Sequence, residues 1–166
     1  MRAAIVTISD RSFRGERPDM SGPVLAQLAT AAGAEVIAHA LVPDDARLIA
    51  STLIRLVDGS GCVAVFTTGG TGLSPRDVTP EATLQVIDRR LGGIEAAILQ
   101  DSLARTPLAM LSRAVVGVRG RALIVNFPGS PKAVRECFAV VQPVLEHVLT
   151  LLRDEDPHHA GASACR

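Results

Sequence analysis

The stretch from Val65 to Thr83, VFTTGGTGLSPRDVTPEAT, sets Gly69, Gly70 and Gly72 between an apolar run and a helix-like segment, with Asp77 placed just beyond them. Glycine accepts backbone geometry that other residues resist. A loop that exposes several N–H groups can cradle an anion, a phosphate above all. Thr67, Thr68, Thr71 and Ser74 add hydroxyl donors. A plain strand-to-helix turn needs fewer glycines, so anion binding outweighs that reading. The loop is neither of the common nucleotide motifs: no Gly-Lys-Ser/Thr follows the glycines, and Pro75 breaks the dinucleotide fingerprint. A carboxylate beside a phosphate is repulsive unless a cation intervenes. Asp77 therefore points to Mg²⁺, which is held by one or two carboxylates plus substrate phosphates, with Arg76 offsetting charge on the same ligand. The plainer alternative for Asp77 is an Asx-turn or a favourable charge at a helix N-terminus.

The remaining candidates are ambiguous on local pattern alone. Asp44, after Pro43 and ahead of a helical run, reads as an ordinary N-cap. Asp10 and Arg11 terminate a strand, and Asp19 belongs to a turn. Gly129, Ser130 and Lys132 resemble a second anion site, although Ser130-Pro131 is also a standard helix start. Ser112 and Arg113 carry no signal by themselves. His39 and His147 fit core or surface positions, and His158-His159 fit a solvent-exposed tail.

These residues need a scaffold, and the chain supplies the material for one. Its 166 residues are 48% hydrophobic and only 2% aromatic, with no Trp or Tyr, so the core must be aliphatic. That disfavours an aromatic platform for single-stranded nucleic acid. Seventeen basic residues balance seventeen acidic ones, leaving no basic footprint for a duplex. Neither a nucleic-acid nor a membrane partner is expected, because no stretch approaches the roughly 20 apolar residues of a span. The three cysteines form no CxxC pair, and Asp10 interrupts the leading apolar run, so a cytoplasmic chain without disulfides is expected.

Hydrophobic patterning predicts strands at Ala3 to Ile8, Ala34 to Val42 and Cys62 to Thr67, and a hairpin across AVVGVRGRALIVNF turning at Arg119-Gly120. Helices are expected from Ser21 or Gly22 to Gly33, from Asp44 to Gly59, and from a Thr79 cap with Leu84, Ile87 and Leu91 inward until Gly92-Gly93 stop it. A shorter helix spans roughly Ile94 to Ala104. A long one opens at Ser130-Pro131 and is bent or restarted at Pro143. Residues 154–166 form a polar tail expected to be mobile, leaving 1–153 as one domain. Alternating strands and helices imply a three-layer α/β/α fold, a mostly parallel sheet with a late antiparallel hairpin. In such sheets ligands bind beyond the strand carboxyl ends. The loops SDR, TTGGTG and PGSP all leave strands that way, so one crevice is expected to gather them.

Taken in order, TISDRSFRGERPDMSGP, LVPDD, TTGGTGLSPRDVTPEAT, LSRAVVGV and LIVNFPGSPKAVRE resemble the molybdenum-cofactor biosynthesis family, over about Ile5 to Leu152. The resemblance implies the same three-layer fold and an Mg²⁺-dependent adenylyl transfer from ATP to molybdopterin, releasing pyrophosphate. It also implies a homo-oligomer, a trimer before a hexamer, and a downstream partner enzyme that inserts molybdate. The family's two key acidic positions match Asp44 and Asp77, which would assist the metal-dependent step; on this basis Asp44 is functional and can cap its helix as well. Ser9, Asp10 and Arg11 match the loop after the first strand, and Thr68, Gly69, Gly70, Thr71 and Gly72 the phosphate loop. Ser112, Asn126, Pro128, Gly129 and Ser130 match the substrate-lined side, with Lys132 a further phosphate contact. A sister group of the family has some inactive members, and retained Asp77, Val78, Thr79 and Pro80 favour the active reading. Two alternatives stay open: a non-catalytic molybdopterin carrier or scaffold, and a general nucleotide-binding regulator.

Overall fold

The computed structural model describes residues 1–153; the expected mobile tail lies outside the described residues. Strand β1 (Arg2–Ile8) leads through a one-turn helix α1 (Asp10–Phe13) and a polar loop to helix α2 (Ser21–Ala31). Strand β2 (Glu35–Val42), helix α3 (Ala46–Ile54) with a wide closing turn at Arg55–Gly59, and strand β3 (Ala64–Thr68) follow. After the glycine loop come helix α4 (Thr79–Leu84), a two-residue strand β4 (Arg89–Arg90) and helix α5 (Gly92–Leu103). A 3-10 turn (Pro107–Leu111), strands β5 (Val116–Arg119) and β6 (Ala122–Phe127), and helix α6 (Pro131–Leu152) complete the fold.

The sheet runs β2-β1-β3-β6-β5-β4. Strands β2, β1, β3 and β6 are parallel, while β5 and β4 run antiparallel to their neighbours. Successive residues of a strand point to opposite faces, and the two cores divide accordingly. Ala3, Ile5, Phe66, Val125 and Phe127 pack under α2, α5 and α6. Ala4, Val6, Val65 and Ile124 pack under α3 and α4. This is the expected three-layer α/β/α arrangement with its late hairpin.

Several local expectations change. Gly92-Gly93 open α5 instead of stopping the preceding helix, and α4 ends at Leu84, which is exposed. Ala82 and Val86 take the inward positions instead. The hairpin pairs Arg119 with Ala122, so Gly120 and Arg121 form its turn, with Gly120 at φ +54°. Helix α6 continues through Pro143 as one element. The short elements α1 and β4 and the 3-10 turn have no hydrophobic period to announce them.

Among aromatics, Phe66, Phe127 and Phe138 meet with ring centroids 5.8–6.0 Å apart and anchor the α6 face. Phe66 is fully buried on a central strand. Phe66→Ala is expected to lower the unfolding free energy by about 3–5 kcal/mol, read from the shift of the denaturant midpoint. A loss below about 1 kcal/mol would mean the neighbouring rings and aliphatics collapse into the space.

Candidate functional site

Strand β1 lies between β2 and β3, so the chain leaves it in one direction to β2 and returns on the other side to β3. A crevice opens at such a reversal, outside the strand carboxyl ends. Here it measures about 430 Å³ and collects Ser9 from the β1 loop, Asp44 from the β2 loop, Gly69, Gly70 and Asp77 from the β3 loop, and Gly129 and Ser130 from the β6 loop. The three loops expected to converge do so, joined by a fourth. Ser12, Arg17, Asp19 and Ser21 complete the β1 side.

The glycines are dictated by close approach. Gly69 has φ +100° and would drive a side chain into the Ile8 carbonyl. Gly70 has φ +63°; a Cβ there would collide with the Thr79 hydroxyl and sit 3.0 Å from Asp44 Oδ1. Thr79 closes the loop from the far end: its amide donates to the Gly70 carbonyl (3.1 Å) and its hydroxyl to the Gly69 carbonyl (2.9 Å). Thr79 is thus occupied with the loop and makes no cap bond to its own helix, contrary to the sequence expectation. The amides of Gly70, Thr71 and Gly72, and those of Gly129 and Ser130, donate to no protein acceptor among the described residues. Ser130 caps α6 through the Ala133 amide at 3.1 Å, which aims the positive end of a long helix at the same space.

Of the four hydroxyls expected to serve the anion, those of Thr67, Thr68 and Ser74 have partners within the protein, whereas that of Thr71 has none among the described residues. Thr68 Oγ1 donates to the Pro128 carbonyl at 2.7 Å, tying the glycine loop to the β6 loop. Thr67 and Thr83 each accept from Asn126 Nδ2 at 3.0 Å, while Asn126 Oδ1 accepts from the Val115 amide at 3.2 Å. Asn126 is therefore buried between β3, α4 and the segment leading into β5, away from the crevice. Ser112 lines a separate cavity of about 510 Å³ between α4, α5 and β5. Lys132 is exposed and faces Glu136 at 3.9 Å, and Arg11 is exposed on α1; neither lines the crevice.

The carboxylates have distinct settings. Asp45 caps α3, accepting from the amides of Arg47 (2.9 Å) and Leu48 (3.0 Å), so the capping role expected for Asp44 belongs to its neighbour. Asp44 instead makes a reciprocal pair with Asp10: the Asp10 amide donates to Asp44 Oδ2 at 2.8 Å, and the Asp44 amide to Asp10 Oδ1 at 3.0 Å. Arg76 holds Asp10 with two bonds, 2.9 and 3.0 Å. Arg76 is thus engaged by Asp10, and neither residue lines the crevice. Burial works to raise the Asp10 carboxyl, but the Asp44 amide and Arg76 together hold it below its ordinary value. Asp44 goes the other way. Burial raises it, the charges of Asp10 and Asp77 raise it further, and the Asp10 amide and Arg76 only partly oppose them.

Asp77 Oδ2 accepts from the Ser74 amide at 2.8 Å. Its backbone is fixed by Arg113, a residue local pattern gave no reason to select. Arg113 donates to the carbonyls of Gly72 (2.8 Å) and Asp77 (2.6 Å), pairs with Glu81, and gives its own amide to Thr71 at 3.0 Å. Asp19 is also more than a turn residue, accepting from the Thr7 hydroxyl (2.6 Å) and from the amides of Ser21 and Gly22 that begin α2.

Comparison with known proteins gives this geometry a context. Residues 4–147 match the family described as "Probable molybdopterin binding domain". The chain is 44% identical over 138 residues to the molybdopterin adenylyltransferase of Escherichia coli (strain K12), covering 82% of this chain and 71% of that one. It is 40% identical over 153 residues to the molybdenum cofactor synthesis protein cinnamon of Drosophila melanogaster, covering 91% of this chain but only 25% of that longer protein. The crystal structure of the molybdopterin biosynthesis enzyme MoaB from Thermus thermophilus superposes with a TM-score of 0.86 at 46% identity, covering 91% of this chain and 95% of that one.

Folding raises the Asp44 pKa, so its contribution to stability is fully present in acid and is lost as pH rises through the folded value. Asp44→Asn is therefore expected to show a higher denaturant midpoint than the parent protein at pH 7. The gap should close as pH falls toward 3.8, the ordinary carboxyl value. Equal midpoints at pH 7 would show that the buried charge carries no penalty.

Proposed function

This chain belongs to the molybdopterin-binding family of molybdenum cofactor biosynthesis, and from that premise we propose that it is a molybdopterin adenylyltransferase, transferring AMP from ATP to the terminal phosphate of molybdopterin. The observation that carries the reading is the crevice itself, where Asp44 and Asp77 face unengaged loop amides and the N-terminus of α6. In the reaction a phosphate oxygen of molybdopterin attacks the α-phosphorus of ATP. One P–O bond forms, the bond to the β-phosphate breaks, and pyrophosphate leaves. The nucleophile is already ionised, so neither a serine or cysteine nucleophile nor a histidine base is needed. Positioning and charge stabilisation do most of the work in such transfers.

The amides of Gly70, Thr71 and Gly72 and of Gly129 and Ser130 are suited to bind and orient phosphate oxygens, where a fixed donor costs no reorganisation during reaction. Asp44 and Asp77 would hold Mg²⁺. Each has one carboxylate oxygen engaged by a backbone amide, and its second oxygen meets no protein donor among the described residues. No group of three metal-ligating side chains assembles among the described residues. Two carboxylates suit a cation that takes its other ligands from phosphates and water. When bound, Mg²⁺ supplies neutralisation of the phosphate charge. Arg113 fixes the backbone from which Asp77 projects, and Arg76 and Asp10 keep Asp44 in register.

A homotrimer in the cytoplasm, serving a molybdate-inserting enzyme downstream, is part of the same proposal. Self-association is supported by exposed apolar side chains beside the second cavity: Leu84 and Leu99 at its rim, and Leu108 and Met110 in the adjacent turn, each of these two about two-thirds exposed. The number three rests on the family resemblance, with a hexamer built from trimers the other form. Cys62 and Cys137 are free buried thiols, which suits a reducing compartment. No helix among the described residues is long and apolar enough to cross a membrane.

Incubating the purified protein with molybdopterin, ATP and Mg²⁺ is expected to yield adenylyl-molybdopterin and pyrophosphate in equal amounts. Asp77→Asn should keep the fold and molybdopterin binding but slow turnover by about a hundredfold or more. Tight molybdopterin binding with no pyrophosphate from the parent protein would replace the enzyme reading with the carrier reading. Near-normal turnover of Asp77→Asn would remove that residue from the mechanism. Sedimentation equilibrium checks the assembly; a monomer at micromolar concentration would overturn the trimer.

A further inference from the structure

The crevice has an unbalanced charge. Its lining carries three carboxylates, Asp19, Asp44 and Asp77, and one cationic side chain, Arg17. Of the other arginines nearby, Arg76 pairs with Asp10, Arg113 with Glu81 and two loop carbonyls, and Arg14 with Glu16, while Arg11 lies exposed outside the lining. Arg17 has no carboxylate partner among the described residues. Its single side-chain bond is a 3.3 Å contact from Nη2 to Ser9 Oγ, an oxygen that already accepts the Ser12 amide as the cap of α1. Asp19 lies two residues away, yet its carboxylate is filled by Thr7, Ser21 and Gly22. A guanidinium on the lining of an anion crevice, held by one long bond, can exchange that bond for a charged acceptor at little cost.

We propose that Arg17 is a phosphate-binding residue of this crevice, leaving Ser9 Oγ to take a phosphate oxygen when substrate enters. This rests on the adenylyl-transfer reading above and adds to it a residue that the pattern of site residues does not contain. A guanidinium matches phosphate geometry with two parallel bonds, and such charged bonds are about twice as strong as neutral ones. Arg17 also differs from the loop amides in kind. Those are fixed dipoles, whereas Arg17 carries a whole charge on a long stem and can follow a phosphate as it departs.

The experiment compares Arg17→Gln and Arg17→Lys with the parent protein and with Arg14→Gln, which removes a charge from the same loop outside the crevice lining. Arg17→Gln is expected to raise KM for one phosphate substrate about tenfold. Arg17→Lys should recover part of the loss, and Arg14→Gln should behave as the parent. A rise in KM for ATP with weaker pyrophosphate inhibition assigns Arg17 to the nucleotide phosphates; a rise for molybdopterin alone assigns it to the pterin's phosphate. Unchanged constants for both substrates in a folded, active Arg17→Gln protein would overturn the proposal. If the parent protein itself makes no product, the adenylyl-transfer reading fails first. Pyrophosphate binding measured by calorimetry then decides Arg17 separately: about tenfold weaker binding to Arg17→Gln supports a phosphate contact, and equal affinity refutes it.

Discussion

Like charges kept together in a half-buried crevice are the constraint on which the rest of this structure depends. Two unit charges 4 Å apart repel by roughly 4 kcal/mol at an effective dielectric near 20, a large part of the roughly 5–15 kcal/mol that holds a domain folded. Asp44 shows the effect directly, since burial and the charges of Asp10 and Asp77 all push its carboxyl upward. The fold answers with donors that cannot drift. Backbone amides of Asp10 and Ser74 each take one oxygen of Asp44 and Asp77, and Arg76 absorbs the charge of Asp10. What is left is one unengaged oxygen on each of the two carboxylates, facing a crevice lined with amides.

Apart from the Ser74–Asp77 bond, which spans three residues, this compensation is not local in the chain. Asp10 and Asp44 are 34 residues apart, Arg76 and Asp10 are 66 apart, and Arg113 and Asp77 are 36 apart. The sheet order brings them together. With β1 between β2 and β3, the loops carrying Asp10, Asp44 and the glycines must leave the same edge side by side. Asn126 then ties β6 to Thr67 on β3 and to Thr83 on α4. The glycine loop is thus clamped at its root by Thr68 and Thr79, and along its length by Arg113. A buried amide with both N–H groups and its oxygen engaged is well suited to such a role, because any shift of one strand would leave a polar atom unpaired.

The scaffold was legible in the sequence for a simple reason: β1, β3 and β6 are buried on both faces, and such strands read as continuous apolar runs over short windows. The alternating sides taken by Ala3, Ala4, Ile5 and Val6 follow from strand geometry alone. The convergence of three loops followed from the parallel order. Other features were not readable, each for a physical cause. Asn126 and Arg113 act through partners far along the chain, so nothing near them distinguishes structure from site. Arg17 sits in a loop without periodicity, and its place on the crevice depends on how that loop folds back over Ser9. Thr67 and Thr68 looked like ligand donors because composition shows hydroxyls and not their partners. The short helix α1 and the two-residue β4 are too brief to carry a pattern at all.

The Pro43-Asp44-Asp45 step shows why local chemistry could not settle the site. Either aspartate is a good helix cap, and the residue types are identical. What separates them is the strand before them: β2 pairs with β1 through Val42, and the Ser9 amide donates to the Val42 carbonyl at 3.0 Å. That register delivers Asp44 opposite the Asp10 amide while its own amide meets Asp10 Oδ1. The next residue, in extended conformation at φ −128°, is then the one whose oxygen reaches the amides of the first helical turn. Because Asp45 satisfies α3, Asp44 is released from capping and can be held partly buried at a cost. A carboxylate kept where it destabilises the fold, beside a neighbour that does the stabilising work, is best explained by a task outside folding.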